Sequence, residues 1–398
     1  MRKTACSLTL SLALLLGGCD LMSGKDATAE ASSAPVAQVA AAPQDQLGAR
    51  DPVPGAIPPA DLADDQPRPV MQLQVVLDRL GFTPGVVDGK EGQSTRNALL
   101  GFQEANVLEQ TGKPDTATTA ALAKWNNIPA TRMVTIPAEF AAGPFEKIPA
   151  KAAEQAKLKA LGYESLDEKL AERFHTTVAT LQALNPGGAT EEASGAAPAM
   201  TNPVVGPGAD PAAGNPPLSL FRAGQQIRVP NVGADQIDAT AASDAAWRDT
   251  LAMLGVGSVQ PKADRIVVSK SKGTLRAYDT SGKLVAMFTA TMGSSHDPLP
   301  LGNWKILGVA HNPPFHYNPA LFWDVSDKAS KQLLPPGPNG PVGVVWIDLS
   351  KPHYGIHGTA APETIGRAQS HGCVRLTNWD VARLAQMVNT STKVEFQA

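Results

Sequence analysis

The sequence predicts a multidomain α+β chain in which small, mainly helical units precede a C-terminal domain that is mostly antiparallel β-sheet. Three observations support this. At 398 residues the chain exceeds what one hydrophobic core ordinarily organises. Its 34 prolines and 35 glycines are frequent enough to fit small domains joined by extended segments. Apolar residues recur at helical spacing between residues 71 and 125 but at strand-like spacing after residue 262.

The first 20 residues, MRKTACSLTLSLALLLGGCD, place Arg2 and Lys3 ahead of an apolar run over residues 8–16 and then small residues, the layout of an export signal. The run is too short for a permanent membrane span. LGGC, ending at Cys19, resembles the lipobox of bacterial lipoproteins, which implies that residues 1–19 are the signal and that Cys19 carries lipid; Asp20 resembles the residue that retains many such proteins at the inner membrane. Residues 20–69 are rich in Ala, Pro, Asp and Gln without apolar periodicity and read as a disordered tether.

Structure is expected from residue 70. Leu73, Val76, Leu77 and Leu80 share one helical face, GFTPG ends that helix, a second helix from Ser94 presents Ala98, Leu99, Phe102 and Ala105, and a third presents Ala121, Leu122 and Trp125. This stretch, residues 70–127, resembles a peptidoglycan-binding domain through the turn at Asp88 and Gly89, the helix carrying Thr95 to Gln103, and the TG..D..T exit. Residues 152–232 give two short helices burying Leu170, Phe174, Val178, Leu181 and Leu184, then a turn and strand in FRAGQQIRVP. They resemble a degenerate LysM module, with GYES in place of the usual GDT and an insert over 187–217; His175 reads as a surface or helix-end residue.

From residue 262 the runs DRIVVS, TLRAYD and KLVAMFTATMG read as strands, the last two joined by a TSGK hairpin; VGVVWIDL and YGIHG follow, then a helix in NWDVARLAQMV and a strand in KVEF. Trp346 reads as core, and Asp380 as a first-turn carboxylate that favours the helix dipole. His296, His311, His316 and His353 read as structural or loop-lining residues, with His316 and Tyr317 in a Pro-rich loop that could close over a substrate.

SHGCVRL then becomes the informative stretch. With Cys6 removed and Cys19 lipidated, Cys373 has no intramolecular partner. A working thiol needs a base in hydrogen-bond reach. Both His371 and His357 qualify, the latter in YGIHGT on a strand able to fold back beside the cysteine. Gly372 lets a carbonyl approach the backbone, where the N–H groups of Gly372 and Cys373 could receive an oxyanion. Arg375 offers a planar fork to a carboxylate.

HYGIHGTAAPETIGRAQSHGCVRL closely resembles the active-site signature of L,D-transpeptidase catalytic domains of the YkuD type, and GNWKILGVAHNPPFHYNPALF and GPNGPVGVVWIDL extend the likeness over residues 262–398. The resemblance implies Cys373 as nucleophile and His357 as proton acceptor, with His371 the other candidate. It implies Ser370 and Gly372 as loop and oxyanion residues, and Arg375 and Gly358 as substrate-binding residues. It further implies a thioester formed at the third residue of a stem tetrapeptide with loss of D-Ala, and transfer to the amine of a second stem. Water or a protein lysine are the other acceptors, and carbapenems would acylate the same thiol. Neither a cofactor nor a metal is implied. A silent wall-anchoring scaffold and an L,D-carboxypeptidase or endopeptidase working through the same thioester are the other functions considered. A net charge of -3 without a basic run excludes a nucleic-acid partner. The expected partners are peptidoglycan and, through the lipid, a membrane of the cell envelope.

Overall fold

The computed structural model describes residues 59–60, 64, 66–186, 219–233, 237, 244–321 and 330–398. The expected signal with Cys19, most of the 20–69 tether, the 187–217 insert and Trp323 lie outside the described residues. The end of the tether, expected to be disordered, is already structured. β1 (Pro59–Ala60) pairs antiparallel with Val134 and Met133, and the Asp64 carboxylate accepts from Arg68 Nε at 2.9 Å and from the Thr131 hydroxyl at 2.5 Å. Local composition carries no sign of partners some 67 residues away.

Pro69 opens α1 (Pro69–Arg79), where its fixed φ suits the first turn and its missing N–H is one that no helix uses. Met71, Val75, Val76 and Leu77 are buried, whereas Leu73 and Leu80, expected on the same face, are half-buried against that core. β2 (Phe82–Thr83) leads to α2 (Gln93–Ala105) and α3 (Thr116–Leu122). Asp115 caps α3 by accepting from Thr118 N at 2.9 Å. Phe102 meets Trp125 edge-on with centroids 6.1 Å apart, closing the small core.

Next come β3 (Thr131–Thr135), α4 (Ala138–Ala141), α5 (Ala152–Gln155), α6 (Leu166–Arg173), α7 (Val178–Leu184) and β4 (Gln226–Pro230). Ser165 and Thr177 cap α6 and α7, which together with the residues at their ends bury Leu170, Phe174, Leu181 and Leu184. The antiparallel partner of β4 is β3, with Met133 opposite Arg228, so the strand of this stretch closes on residues that precede it. Its apolar residues join those of α1 and α2 in one cluster.

The C-terminal part begins with α8 (Ala245–Leu254), followed by β5 (Arg265–Ser269), β6 (Thr274–Tyr278), β7 (Leu284–Thr289), β8 (Thr291–Met292), β9 (Gly302–His311), β10 (Phe315–Tyr317), β11 (Gln332–Leu334), β12 (Val345–Leu349), β13 (Gly355–His357), β14 (Val374–Arg375), α9 (Asn378–Met387) and β15 (Lys393–Gln397). The large sheet runs in the order β2-β7-β6-β5-β15-β9-β12-β13-β14-β8, antiparallel except for β2–β7, β5–β15 and β13–β14. β9 is long enough to pair first with β15 and then with β12, joining the two ends of the sheet. β10 and β11, carrying His316 and Tyr317, form a separate two-stranded ribbon. α9 lies against the sheet with Trp379, Val381 and Leu384 buried. No described helix is long and apolar enough to cross a membrane.

The N-terminal helices are joined to this sheet in two ways. β2 extends its edge, Phe82 beside Met287. Asp78 of α1, fully buried, is bound by Arg383 of α9 at 2.8 and 3.1 Å and faces His175 at 3.2 Å. Burial opposes ionisation of Asp78, but Arg383 and His175 outweigh it and hold the carboxyl well below its usual range. His175 is therefore not a surface residue. It follows the end of α6, donates from Nε2 to Leu254 O at 2.9 Å, and stacks on Trp379 with centroids 5.0 Å apart. Asp380 does sit in the first turn of α9, but it is buried, and burial beside ionised Asp78 lifts its carboxyl to about 7.

Candidate active site

β13 and β14 run parallel, with Ile356 opposite Val374 and His357 opposite Arg375. Ile356 and Val374 are both fully buried in the sheet core. Because successive side chains alternate across a strand, Gly355, His357 and Arg375 face the other side, and so does Cys373 at the entry to β14. Cys373 and His357 are thus diagonal neighbours on one face of adjacent strands. On the next strands, Trp346 of β12 lies opposite His357 and Thr291 of β8 opposite Arg375. His371 belongs to the loop ahead of β14, half-buried and outside this register.

His357 is buried, and its Nδ1 lies 2.7 Å from Gly358 O. A carbonyl only accepts, so Nδ1 carries the proton and Nε2 is left as the acceptor. Burial, seconded by the Arg375 charge, lowers the imidazole to about 4 against the opposing bond to Gly358, so the ring is neutral near pH 7. Burial also raises the Cys373 thiol above its ordinary value, while the Gly355 backbone and Arg375 pull it down. The thiol points toward His353 O at 3.8 Å. The resting pair is therefore neutral thiol and neutral imidazole, and a proton must leave sulfur as the sulfur attacks.

The loop before Cys373 is held by short bonds. The Ser370 hydroxyl donates to Cys373 O at 2.7 Å and accepts from Gly293 N at 2.6 Å, while Ser370 N donates to Gly293 O at 3.2 Å. Gly372 has φ +97°, and a Cβ there would stand 2.5 Å from Cε1 of Tyr354, so both backbone and space require glycine. Gly358 is buried, and any side chain on it would run into Asn378 Oδ1. Its lack of a side chain serves packing, and its carbonyl serves His357.

Two residues at this site were not expected there. Trp346, read as core, is half-buried on the site face. Its ring stacks on His357 with centroids 5.6 Å apart, covers Gly355, and is fixed by donation from Nε1 to Asp348 Oδ1 at 3.2 Å. The alternation in VWIDL, with Val345, Ile347 and Leu349 buried, carried that signal. Tyr354 roofs Gly372, and burial together with the charges of Asp297 and Cys373 raises its phenol. Cys19 lies outside the described residues. Among those residues, no group of three or more His, Cys, Asp or Glu side chains converges as metal ligands.

Residues 263–396 match the family model described as "L,D-transpeptidase catalytic domain", and residues 66–122 match that of a "Putative peptidoglycan binding domain". A protein of Bacillus licheniformis named "Putative L,D-transpeptidase YkuD" is 36% identical over 130 residues, which is 33% of this chain and 63% of that one. Its namesake from Bacillus subtilis is 54% identical over 57 residues, 14% of this chain and 35% of the relative. The chain thus spans less than two thirds of either relative. A solved L,D-transpeptidase from Mycobacterium smegmatis aligns with 34% of this chain and 59% of its own at 20% identity and a TM-score of 0.28. Residues 263–396 are thus similar to L,D-transpeptidase catalytic domains of the YkuD family, and residues 66–122 to peptidoglycan-binding domains.

Proposed function

We propose that the protein is a cysteine-dependent L,D-transpeptidase that joins peptidoglycan stem peptides by 3-3 cross-links. The observation that supports this reading is the register of β13 and β14, in which Cys373 and His357 are diagonal neighbours on one face, with Nδ1 of His357 bound to Gly358 O. Cys373 Sγ attacks the carbonyl carbon of the third stem residue, a diaminopimelate, as His357 Nε2 takes the thiol proton. The oxyanion is received by the N–H groups of Gly372 and Cys373, in a loop that Ser370 ties to Cys373 O and to Gly293 N. Collapse breaks the C–N bond, and His357 returns the proton to the departing D-Ala amine, leaving a thioester. The side-chain amine of a second stem then attacks the thioester, passes its proton through His357 and restores the thiol. Arg375, in register with the base, binds the stem carboxylate.

In this reading residues 66–122 hold the enzyme to the wall, residues 152–232 are a LysM-like module, and a lipid on Cys19 tethers the chain to a membrane of the cell envelope. The test is mass spectrometry of muropeptides after incubation of disaccharide-tetrapeptides with wild type and with Cys373→Ala. Dimers that lack one D-Ala, formed by wild type alone, are expected. Tripeptides alone would assign a carboxypeptidase, and no product would leave the scaffold function.

A further inference from the structure

The unit built on α5–α7 grips the loop between β11 and β12 along its length. Leu161 N donates to Pro336 O at 2.9 Å, and Asn339 N donates to Leu161 O at 3.0 Å. The Asn339 side chain donates to Gly162 O at 2.9 Å and to Glu168 Oε1 at 2.8 Å. Gly337 lies so close to Leu161 O that a side chain there would collide with it. The same loop borders the base: Gly358 N donates to Val342 O at 3.0 Å, and Gly358 O is the partner of His357 Nδ1 at 2.7 Å.

Asn378 ties the two together from the first turn of α9. Its Nδ2 donates to Glu172 Oε1 of α6 at 2.8 Å and to Pro338 O at 3.1 Å, while its Oδ1 accepts from Val344 N at 3.3 Å and packs on Gly343 and Gly358. Both side chains are buried. A continuous set of directed bonds therefore runs from α6 through Asn378 and the loop to the carbonyl that orients His357.

We propose that the α5–α7 unit acts within the catalytic reaction, with Glu172 and Asn378 as positioning residues that hold Gly358 O against His357 Nδ1 and so fix the tautomer and aim of the base. The inference rests on the assignment of His357 as base to Cys373 made above. The α5–α7 unit serves here as a buttress. If Gly358 shifts, His357 loses the acceptor that keeps the proton on Nδ1 and, with it, the ring orientation that the proposed reaction needs. Misplacement of a reacting group by about 1 Å can cost on the order of a hundredfold in rate.

The experiment compares full-length Glu172→Ala, Glu172→Gln and Asn339→Ala with wild type in detergent, each normalised to titratable Cys373. Two readouts are taken across pH: D-Ala release from disaccharide-tetrapeptides, and alkylation of Cys373 by iodoacetamide followed by mass spectrometry. Gln keeps an oxygen for Asn378 to donate to; Ala does not. We expect Glu172→Ala to lower kcat by about tenfold with KM within about twofold, and to slow alkylation, with the acid limb of both profiles moved to lower pH because the bond to Gly358 O no longer raises His357. Arg375, the charged group opposite His357 that acts on its titration, and Cys373 are untouched in all variants. Glu172→Gln should restore both readouts, and Asn339→Ala, at a half-buried position that tolerates truncation, should show the same pattern more weakly. Wild-type alkylation and pH profiles in Glu172→Ala and Asn339→Ala would overturn the inference, as would a loss that disappears on normalisation. Alkylation needs no substrate, so an absence of D-Ala release from wild type would count against transpeptidation while the alkylation profiles still decide the positioning role.

Discussion

At the residue scale, the proposed reaction makes reactivity at Cys373 depend on a neighbour that stays neutral. The low proton affinity of buried His357 has a defined consequence for pH. A general base works only when unprotonated, so if His357 is the base as proposed, activity is lost as pH falls through its value of about 4, well below the ordinary imidazole range. We expect kcat/KM to hold down to about pH 5 before its acid limb appears; an acid limb near 6.5 would mean that His357 is not the group titrating. His357→Ala should lower the rate of cysteine acylation by about a hundredfold or more, whereas His353→Ala, whose backbone carbonyl rather than side chain meets the thiol, should stay near wild type; equal losses, measured by stopped-flow acylation, would misplace the base. Cys373, His357, Gly372 and Arg375 stand out as candidates in the sequence because their residue types suggest their chemistry. For Trp346 the alternation in VWIDL signals only a residue facing away from the core, and the pairing of β12 with β13 is what puts its ring on His357.

At the element scale, the helices and most strands were legible because their apolar period is simple, and the register joining them was not. Nothing in KVEF announces that β15 pairs parallel with β5 and antiparallel with β9 in the middle of the sheet. α1 shows the limit of periodicity. It buries an apolar face and also the polar side chains of Gln74 and Asp78, which a hydropathy pattern assigns to solvent. Gln74 donates to Asp88 Oδ1 at 3.1 Å and to Lys90 O at 3.0 Å, and Asp78 takes Arg383. Removing one partner from a buried pair leaves the other charge uncompensated. Asp78→Ala should therefore destabilise the fold by about 3–5 kcal/mol in urea unfolding, with most of that loss relieved when Arg383→Met is added. A destabilisation below about 1 kcal/mol, ordinary for an exposed pair, would show that the pair does not bear on stability.

At the scale of the whole molecule, the described residues beyond the tether form interlocked units rather than beads on a string. β2 extends the large sheet, Asp78 meets Arg383 and His175, and Glu172 meets Asn378. Composition suggested separable modules, since linkers rich in Pro and Gly fall between them, but the contacts that join the units are polar side chains distant in sequence and so invisible to periodicity. The structured end of the tether belongs to the same class of surprise. Within this assembly the central claim concerns one atom, Cys373 Sγ. The most direct test is intact-protein mass spectrometry of the full chain quenched in acid after brief exposure to disaccharide-tetrapeptide. The account predicts a covalent adduct of the donor less D-Ala, located on Cys373 by peptide mapping, absent from Cys373→Ala and discharged by added acceptor stem. Turnover without such an adduct, or an adduct that survives in Cys373→Ala, would contradict it.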